Sequence, residues 1–297
     1  MKRIDLHIHS TCSDGELTPI QIIDEAILNN VNTLSIADHD TIIAYTPDLF
    51  DYAKQKGVKI IPSVEISTEH DGVTVHILGY NFDINNKKLN NALNKLRNAR
   101  HTYLINVCKK LNMLGYEVNI QTLKNIPSVT KANIALDIIS NFNNKQVLIN
   151  SFGHIPTKGE FIEAIMNRDC PAYVDKFRIS PTEAANLIHN AKGVVVLAHP
   201  VVYKHEKNKE LPWVLNLAKI AKVDAIESNY IYISSQKEII NESPFWNEIA
   251  KTHGYFSTIG SDFHSFDTSV LIGLKNTTIK LSSNEINLML KNLQKNI

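Results

Sequence analysis

The sequence predicts an α/β fold in which strands and helices alternate, with a helical segment inserted near the middle. Short runs rich in β-branched residues alternate with amphipathic stretches, which is the pattern of parallel strand–helix units. The pattern stops near residue 86 and resumes near residue 178, and leucines recur at helical spacing between those points. We therefore predict one α/β domain formed by 1–85 and 179–297, and a helical insertion at 86–178.

The first predicted strand begins at Ile4 and alternates apolar with polar side chains. Alternation places His7 and His9 on the same face of the strand, and neutral imidazole is a good ligand for Zn, Fe, Ni or Cu. Asp14 follows in a polar turn that ends at Gly15, from which its carboxylate can point back towards the histidines. The alternative is a strand with two polar residues on a solvated face, and the rest of the chain bears on that choice.

Three more strands are predicted before the insertion, and a helix precedes each of the first two. The first helix begins at Thr18, which can form a capping box with Gln21. The strands cover residues 33–37, 58–64 and 73–78, and the polar residues that follow or lie in them are His39, Glu65 and His76. Because functional groups gather at the carboxyl ends of strands in parallel α/β folds, we expect His39 and Glu65 beside the first two histidines.

The insertion is predicted to contain one long helix, from Lys87 to Leu114, and shorter helices at 130–142 and 157–167. Its leucines recur at helical spacing, and Gly115 ends the long helix. The basic residues that we expect on its polar faces and loops are Lys131, Arg168, Lys176 and Arg178.

The α/β pattern resumes with a helix that begins at Ser180, where Glu183 completes a second capping box. The remaining predicted strands, with the polar residues that follow them, are 194–198 with His199, 223–226 with Glu227, and 255–259 with Asp262 and His264. The tail is expected to add one short strand and one helix.

Nine residues with imidazole or carboxylate side chains lie in or after these strands. They are His7, His9, Asp14, His39, Glu65, His76, His199, Asp262 and His264. One ion takes about four to six ligands, so nine ligands suit two or three ions. The set contains no cysteine, which argues against a structural zinc site, whereas open N/O sites suit catalysis. Any one of these residues alone would be read as a core or surface residue, and their recurrence at strand ends indicates a metal centre.

The composition is that of a soluble globular protein without a broad electrostatic field. The chain has 297 residues, of which 43% are hydrophobic and 21% charged, and its formal net charge is +1. This charge gives little support to long nucleic acid or an anionic membrane as a partner. Three widely spaced cysteines fit a reduced compartment. No apolar run approaches the ~20 residues that span a bilayer, and we expect a cytoplasmic protein.

Together these motifs resemble those of the PHP (polymerase and histidinol phosphatase) superfamily. The matching motifs are His7-x-His9 with Asp14-Gly15, Asp38-His39-Asp40, Glu65, His76, His199-Pro200 and Gly260-Ser261-Asp262-x-His264. Within the superfamily, the chain is similar to the branch with a helical insertion that acts on nucleoside 3′,5′-bisphosphates or on RNA 5′ ends. The resemblance implies a distorted (β/α)7 TIM-like barrel with metal ions at its mouth and the insertion as a substrate cap.

The resemblance also implies sites for two or three divalent ions, with Zn, Mn and Fe as candidates. The implied ligand sets are His7, His9, Glu65 and Asp262; Glu65 as a bridge with His76 and His199; and Asp14, His39 and His264. The implied reaction is hydrolysis of a phosphate monoester of a small nucleotide, first of all a nucleoside 3′,5′-bisphosphate, by a metal-bridging hydroxide. The alternatives are a 5′–3′ exoribonuclease on short RNA, a cyclic-phosphate phosphodiesterase, and a module that binds without catalysis.

Two positions depart from the pattern of that branch, and both concern phosphate binding. Lys131 and Val202 stand where the branch usually has Arg. Lys binds phosphate as a point charge, whereas Arg forms a bidentate fork. Lys131 itself, Lys204 and His205 are the residues that could compensate.

Three residues are candidates for catalytic roles beside the metal ligands. Asp38 and Asp40 flank His39 and could orient ligand imidazoles, the alternative being a capped turn after the strand. His205 follows the His199 strand end closely and is kept as a candidate, while the other histidines outside the nine are read as structural or solvated.

Overall fold

The computed structural model describes residues 3–234, 237–266 and 270–294. The chain divides into two compact units. The first unit comprises Met1–Leu93 and Arg178–Ile297, and the second comprises Asn94–Phe177. Each unit has a hydrophobic core of its own.

Ten strands are found in the described part of the first unit. They are β1 (Arg3–Ile8), β2 (Val31–Ile36), β3 (Lys59–Ile60), β4 (Ser63–His70), β5 (Val73–Tyr80), β6 (Val194–Leu197), β7 (Ala225–Asn229), β8 (Tyr232–Ile233), β9 (Ile239–Ile240) and β10 (Phe256–Ile259).

The helices follow in chain order. They are α1 (Pro19–Leu28), α2 (Pro47–Gln55), α3 (Lys87–Met113), α4 (Ile120–Lys124), α5 (Lys131–Ser140), α6 (Lys145–Phe152), α7 (Lys158–Phe161), α8 (Pro181–Asn190), α9 (Pro200–Lys207), α10 (Leu211–Ile220), α11 (Ser243–Thr252) and α12 (Ser283–Leu293). None of the described helices has the length and apolar character that crossing a bilayer requires.

The predicted helix starts have a local cause that the structure shows directly. Thr18 caps α1, and its side chain and that of Gln21 form both halves of the capping box. Ser180 caps α8 by accepting a hydrogen bond from the backbone N–H of Glu183, so only this half of the predicted second capping box forms. In each helix, proline occupies the first turn, where its missing N–H costs nothing.

The strands form a three-stranded sheet in the order β1-β2-β3, a five-stranded sheet in the order β10-β7-β6-β5-β4, and a small β8-β9 hairpin. β5 is antiparallel to both β4 and β6, so the prediction of a purely parallel arrangement is wrong for this strand. The cause is the turn between β4 and β5, where Asp71 and Gly72 both have positive φ, at +50° and +74°. Two such residues form a tight hairpin turn that returns the chain beside itself.

The strand predicted at 58–64 is divided at Pro62, which lacks a backbone N–H for a sheet ladder. Before this point β3 pairs in parallel with β2, and after it β4 pairs with β5. Glu65 is therefore the third residue of β4 and does not follow a carboxyl end. His76 likewise lies inside β5.

Backbone hydrogen bonds connect the β1-β2 sheet to both edges of the five-stranded sheet. After β10, the N–H of Asp262 donates to His7 O at 2.8 Å, and the N–H of His9 donates to Phe263 O at 2.9 Å. At the other edge, the N–H of Asp40 donates to Glu65 O at 2.9 Å. The ladders of the described strands do not run as one continuous closed barrel, but these bonds bring the chain segments with the predicted ligands together.

The tail differs from the prediction in the part that the structure describes. Between Val270 and Ser282 there is a short 3-10 turn at Ile272–Leu274 and no strand. Gly273 has a φ of +76° inside this turn, and its N–H donates to Asp5 Oδ2 at 2.7 Å. The predicted final helix forms as α12.

Candidate metal centre

Glu65 lies at the centre of a cluster of imidazoles. Five imidazole nitrogens lie within 3.0–3.5 Å of its two carboxylate oxygens. The pairs are Oε2 with His7 Nε2 (3.5 Å), His9 Nε2 (3.3 Å) and His39 Nδ1 (3.1 Å), and Oε1 with His76 Nδ1 (3.0 Å) and His199 Nε2 (3.1 Å). A single carboxylate therefore reaches imidazoles from four separate parts of the chain.

Two further carboxylates complete the cluster. Asp14, in the turn after β1, has Oδ1 3.5 Å from both His9 Nδ1 and His264 Nε2. Asp262, after β10, has Oδ1 3.1 Å from His9 Nε2 and 3.4 Å from His7 Nε2. His9 thus faces all three carboxylates.

Three overlapping sets of side chains have ligand atoms within 4.8 Å of one another. The sets are His9 with Asp14, His39 and His264; His7 with His9 and Asp262; and His39 with Glu65 and His76. His199 joins the cluster through Glu65. The structure therefore brings all nine residues that the sequence singled out into one place, with His9 and His39 each available to more than one set.

The geometry of the cluster fits divalent ions. Ligand atoms about 2.1 Å from an ion, at tetrahedral or octahedral angles, are about 3.0–3.4 Å from each other, and the N···O separations in the cluster run from 3.0 to 3.7 Å. Asp14 Oδ1 and His39 Nδ1 are buried without a hydrogen-bond partner among the described residues. Buried polar atoms normally have a partner, and an ion would supply one.

The electrostatics also favour a cation within the cluster. Burial alone would raise the pKa of each carboxyl group, but the surrounding imidazoles outweigh burial and hold the pKa values of Asp14, Glu65 and Asp262 well below their usual range. Burial lowers the pKa of His9, yet its carboxylate neighbours outweigh burial and raise it to about 10. Burial holds the pKa of His39 well below its ordinary value. Three carboxylates packed this closely therefore need protons or metal ions to balance their charge.

Solvent reaches the cluster from one side. The side chains of His7, His9 and Glu65 are at most 1% exposed. Those of Asp262, His76 and His264 are 18%, 23% and 25% exposed. We call these last three residues the open side of the cluster, since they are its most exposed members.

Three residues at the cluster have backbone conformations that L-residues seldom adopt. His199 has a φ of +25°, and Asp40 and Asp262 each have a φ of +53°. Such strain is concentrated at functional sites in proteins and persists only where the surrounding structure holds it. Here the backbone N–H groups of Asp40 and Asp262 are held by the hydrogen bonds that connect the sheets.

Two glycines allow the chain to approach the histidines closely. A Cβ at Gly15 would lie 2.1 Å from His9 O, and one at Gly260 would lie 2.2 Å from His7 Cβ. These distances are far below van der Waals contact, so neither position accepts a side chain without a shift of the backbone that carries the cluster.

Asp38, a predicted catalytic candidate, anchors the turn that carries Asp14. Its buried carboxylate accepts hydrogen bonds from the backbone N–H of Ser10 at 2.7 Å, from Ser10 Oγ at 2.6 Å and from Ser13 Oγ at 2.6 Å. Ser13 Oγ in turn lies 3.5 Å from His9 Nδ1. The connection from Asp38 to a histidine therefore runs through Ser13.

Asp40, the second candidate, ties the end of β2 to β4. Its Oδ1 accepts a hydrogen bond from the backbone N–H of Ser67 at 2.9 Å, and its own N–H donates to Glu65 O. Asp40 thus holds the backbone of the strand that carries Glu65.

The structure places His205, the third catalytic candidate, against Glu242. His205 Nε2 lies 3.0 Å from Glu242 Oε1, and its ring stacks on Tyr232. Lys204 forms an ion pair with the same carboxylate. Neither residue belongs to the three ligand sets of the described chain.

The other basic candidates also have protein partners. Arg178 Nη1 forms an ion pair with Glu69 Oε2 at 3.0 Å in the first unit. In the second unit, Lys131 Nζ donates to Met166 O at 3.0 Å and to Asn167 Oδ1 at 3.0 Å. The backbone N–H of Lys176 donates to Asp175 Oδ1, and Arg168 is exposed.

Two residues near the cluster were not among the candidate site residues predicted from the sequence. Glu227, the third residue of β7, is fully buried beside His7. Tyr230, just after β7, donates a hydrogen bond to Asp262 Oδ2 at 3.1 Å. Glu227 could have been predicted as a site residue, because it is an acid that follows a predicted buried strand. Nothing in the sequence distinguishes Tyr230 from the chain's other tyrosines.

Comparisons with known proteins agree with this geometry. The family model described as the PHP domain matches residues 5–194. A 5′-3′ exoribonuclease of Haemophilus influenzae is 28% identical over 265 residues, which cover 89% of this chain and 90% of that protein. A 3′,5′-nucleoside bisphosphate phosphatase of Chromobacterium violaceum is 24% identical over 269 residues, covering 89% of this chain and 88% of that protein.

A similar fold occurs among solved structures. A protein of Bifidobacterium adolescentis, assigned as a metal-dependent phosphoesterase, aligns with a TM-score of 0.77 and 18% identity. The alignment covers 98% of this chain and 96% of that one, so the likeness extends over the whole fold.

Proposed function

The chain belongs to the PHP domain family, and from that premise we propose that it is a metal-dependent phosphoesterase that hydrolyses a phosphate ester of a nucleotide. The observation that carries the proposal is the carboxylate of Glu65, which lies within 3.5 Å of five imidazole nitrogens. A cluster of N and O donors with an open side suits a hydrolytic metal site. The similarity to an exoribonuclease and to a nucleoside bisphosphate phosphatase supports a nucleotide substrate.

We assign two or three divalent ions, of Zn, Mn or Fe, to the nine residues of the cluster. The proposed ligand sets are His7, His9, Glu65 and Asp262; Glu65, His76 and His199; and Asp14, His39 and His264. When bound, such ions lower the pKa of water and neutralise charge on a phosphoryl group. The first two sets share Glu65, and His9 of the first set lies 3.5 Å from Asp14 of the third, which supports closely spaced ions.

The protein itself fixes the positions of the carboxylates and shields the cluster from water. The fully buried His7 and His9 form a floor that excludes water on one side of the cluster. The substrate's phosphoryl group then enters past the open side. Asp38 and Asp40 hold the two backbone segments that carry Asp14 and Glu65, so the positions of these carboxylates are set before substrate binds.

The first proposed substrate is a nucleoside 3′,5′-bisphosphate, and the second is the 5′-phosphorylated end of a short RNA. The RNA end is kept as the second candidate because identity to the exoribonuclease is 28%, against 24% to the phosphatase. Both substrates carry a 5′-phosphate and a 3′-phosphate ester on one nucleotide. A site that holds one phosphate while the other reacts would serve both.

Arg178 is a basic candidate for holding the second phosphate. It pairs with Glu69, and alternation along β4 places Glu69 on the same face as Glu65, four residues earlier. The guanidinium can bind phosphate through two parallel hydrogen bonds. Lys204 is a further candidate, and it forms an ion pair with Glu242.

We also propose the organisation that the family implies, a distorted (β/α)7 barrel with 86–178 as a substrate cap. The barrel is supported by the hydrogen bonds from β1 and β2 to both edges of the five-stranded sheet. The cap is supported by the separate core of the second unit and by its basic residues Lys131, Arg168 and Lys176.

The substrate is tested with a panel assayed in Mn²⁺ and in Zn²⁺, before and after chelation. The panel is adenosine 3′,5′-bisphosphate, AMP, a ribose cyclic phosphate and a 5′-phosphorylated oligoribonucleotide. We expect metal-dependent hydrolysis of the bisphosphate above that of AMP, because AMP lacks the second phosphate. Preference for the oligonucleotide would select the exoribonuclease, and absence of hydrolysis of every phosphoester would contradict the proposal.

A further inference from the structure

β7 carries none of the nine proposed ligands, yet its Glu227 contacts two of them. We propose that Glu227 is a positioning residue, which orients the ring of His7 and the backbone of His199 for metal binding. The inference rests on the proposed function, since it concerns how the same cluster takes its ions.

Both oxygens of Glu227 are engaged inside the protein. Oε1 lies 3.0 Å from His7 Nδ1, and Oε2 accepts a hydrogen bond from the backbone N–H of His199 at 2.9 Å. The residue is 0% exposed. A buried carboxylate costs free energy unless its oxygens are bonded, and here both bonds go to proposed ligands.

The contact with His7 decides which ring nitrogen faces the cluster. A carboxylate only accepts hydrogen bonds, so Nδ1 of His7 carries the hydrogen. The lone pair of Nε2 then points to the cluster, where Nε2 lies 3.4 Å from Asp262 Oδ1. Carboxylate partners of this kind orient metal-binding histidines in general.

The contact with His199 holds a strained backbone. His199 has a φ of +25°, which a non-glycine residue adopts only when its surroundings impose it. The hydrogen bond from its N–H to Glu227 is one such restraint, and it keeps His199 Nε2 near Glu65 Oε1, at 3.1 Å.

The space for this arrangement comes from Gly260. A Cβ at that position would lie 2.4 Å from Glu227 Oε1 and 2.2 Å from His7 Cβ. The absence of a side chain at residue 260 therefore lets the carboxylate and the imidazole meet.

The chain offers a matched control in Asp224. Asp224 Oδ2 lies 2.9 Å from His189 Nε2 and accepts a hydrogen bond from the backbone N–H of Val195 at 2.8 Å. It makes the same two kinds of contact as Glu227, but neither partner is one of the nine proposed ligands. Asp224 is 35% exposed, whereas Glu227 is buried, so Asp224→Asn controls for the loss of a carboxylate with these two kinds of partner outside the cluster.

The test compares Glu227→Gln, Glu227→Ala and Asp224→Asn with the wild-type protein, each stripped of metal and titrated with Co²⁺ against a competing chelator. We expect Co²⁺ affinity to fall about ten- to a hundredfold in Glu227→Ala, less in Glu227→Gln, whose amide oxygen can still accept from His7, and not in Asp224→Asn. The visible absorption of bound Co²⁺ should change in the two Glu227 variants only.

A second measurement needs no variant. In the Zn²⁺-loaded wild-type protein, ¹⁵N NMR of the histidine rings should show His7 with hydrogen on Nδ1. Hydrogen on Nε2 of His7, or wild-type Co²⁺ affinity and absorption in Glu227→Ala, would overturn the inference while leaving the proposed function intact. A wild-type protein that binds no Co²⁺ would overturn both.

Discussion

The Nε2 atoms of His7 and His9 lie 3.1 Å apart, and both rings are fully buried. If both imidazoles were neutral and directed Nε2 lone pairs at each other, the lone pairs would repel at this distance. A proton or a metal cation must therefore lie between the two nitrogens. The raised pKa of His9, about 10, shows that the surrounding carboxylates favour a positive charge there. In the metal-free protein that charge is a proton, and metal binding has to displace it.

The first prediction follows from this exchange. Binding of Zn²⁺ to the stripped protein at pH 7 should release at least one proton, because His9 is protonated in the metal-free state. Calorimetric titrations in two buffers of different ionisation enthalpy measure the number released. Metal affinity should also rise with pH from 6 to 8, and a binding constant that does not change with pH would contradict the assignment of His9.

The second prediction concerns the stability of the metal-free protein. His9, with its pKa raised from 6.5 to about 10, contributes stability that is present below pH 6.5 and lost as pH rises towards 10. Glu65 and Asp14, with lowered pKa values, contribute stability that is present above their ordinary values of 4.5 and 3.8 and lost as pH falls. Between these limits, the lowered pKa of His39 makes stability rise with pH, because the unfolded chain binds a proton there that the folded chain does not.

The metal-free protein should therefore have its highest Tm at about pH 5 to 6.5. Bound metal replaces the protons, so in excess Zn²⁺ the maximum should move to higher pH. Thermal unfolding at a series of pH values, with and without metal, measures both maxima. Identical profiles in the two conditions would show that the cluster does not exchange protons for ions.

The third prediction concerns Glu65, the carboxylate shared by five imidazoles. Glu65→Gln should lower hydrolysis at least about a thousandfold and reduce the bound metal, because the amide cannot balance the charge of neighbouring ions. Metal analysis of the purified variants and initial rates measure this. Glu69→Gln is the control on the same face of β4 and should keep the wild-type metal content, since Glu69 pairs with Arg178.

The fourth prediction concerns the room at Gly260. Gly260→Ala should destabilise the protein by about 1–3 kcal/mol, because a new methyl group must displace its neighbours in a packed site. It should also weaken metal binding, because His7 is one of those neighbours. Denaturant unfolding and metal titration report the two effects. Gly159→Ala is the control, because the nearest atom to its Cβ is 4.0 Å away.

The fifth prediction concerns Lys131 in the second unit. Lys131→Ala should raise KM for the bisphosphate by about tenfold, the effect of one charged contact to phosphate, and leave metal content unchanged. Lys110→Ala is a matched control, because Lys110 also donates to a backbone carbonyl in the second unit, that of Tyr173. Loss of metal in Lys131→Ala, or an equal rise of KM in both variants, would contradict the proposal that Lys131 binds substrate.

The strand-end residues could be predicted because the pattern that forms each strand also marks its end. Alternation showed that His7 and His9 share a face, and the valine-rich run showed that His199 follows a buried strand. The antiparallel course of β5 was missed although Asp71-Gly72 is a hairpin signal, because the strand–helix pattern on either side favoured a parallel sheet. Pro62 likewise divided a strand that its apolar residues predict as continuous.

The contacts that other side chains make with the ligand residues could not be predicted, because they depend on how distant parts of the chain pack together. Glu227 has the same strand-end signal as His199, yet its carboxylate meets an imidazole and a backbone N–H of two ligand residues. The basic residues show the same limit. Lys131 and Lys204 were selected because they lie at or near positions where the resembling branch has Arg, and in the fold each already has a protein partner.

The central claim is that the nine residues bind divalent ions that the protein needs to hydrolyse phosphate esters. The most direct measurement is a titration of the stripped protein with Mn²⁺ or Zn²⁺, with bound metal per chain and hydrolysis of adenosine 3′,5′-bisphosphate followed together. We predict that activity is absent without metal and rises as the second or third ion binds. Full activity in the stripped protein, or saturation with metal without hydrolysis of any phosphate ester, would contradict the account.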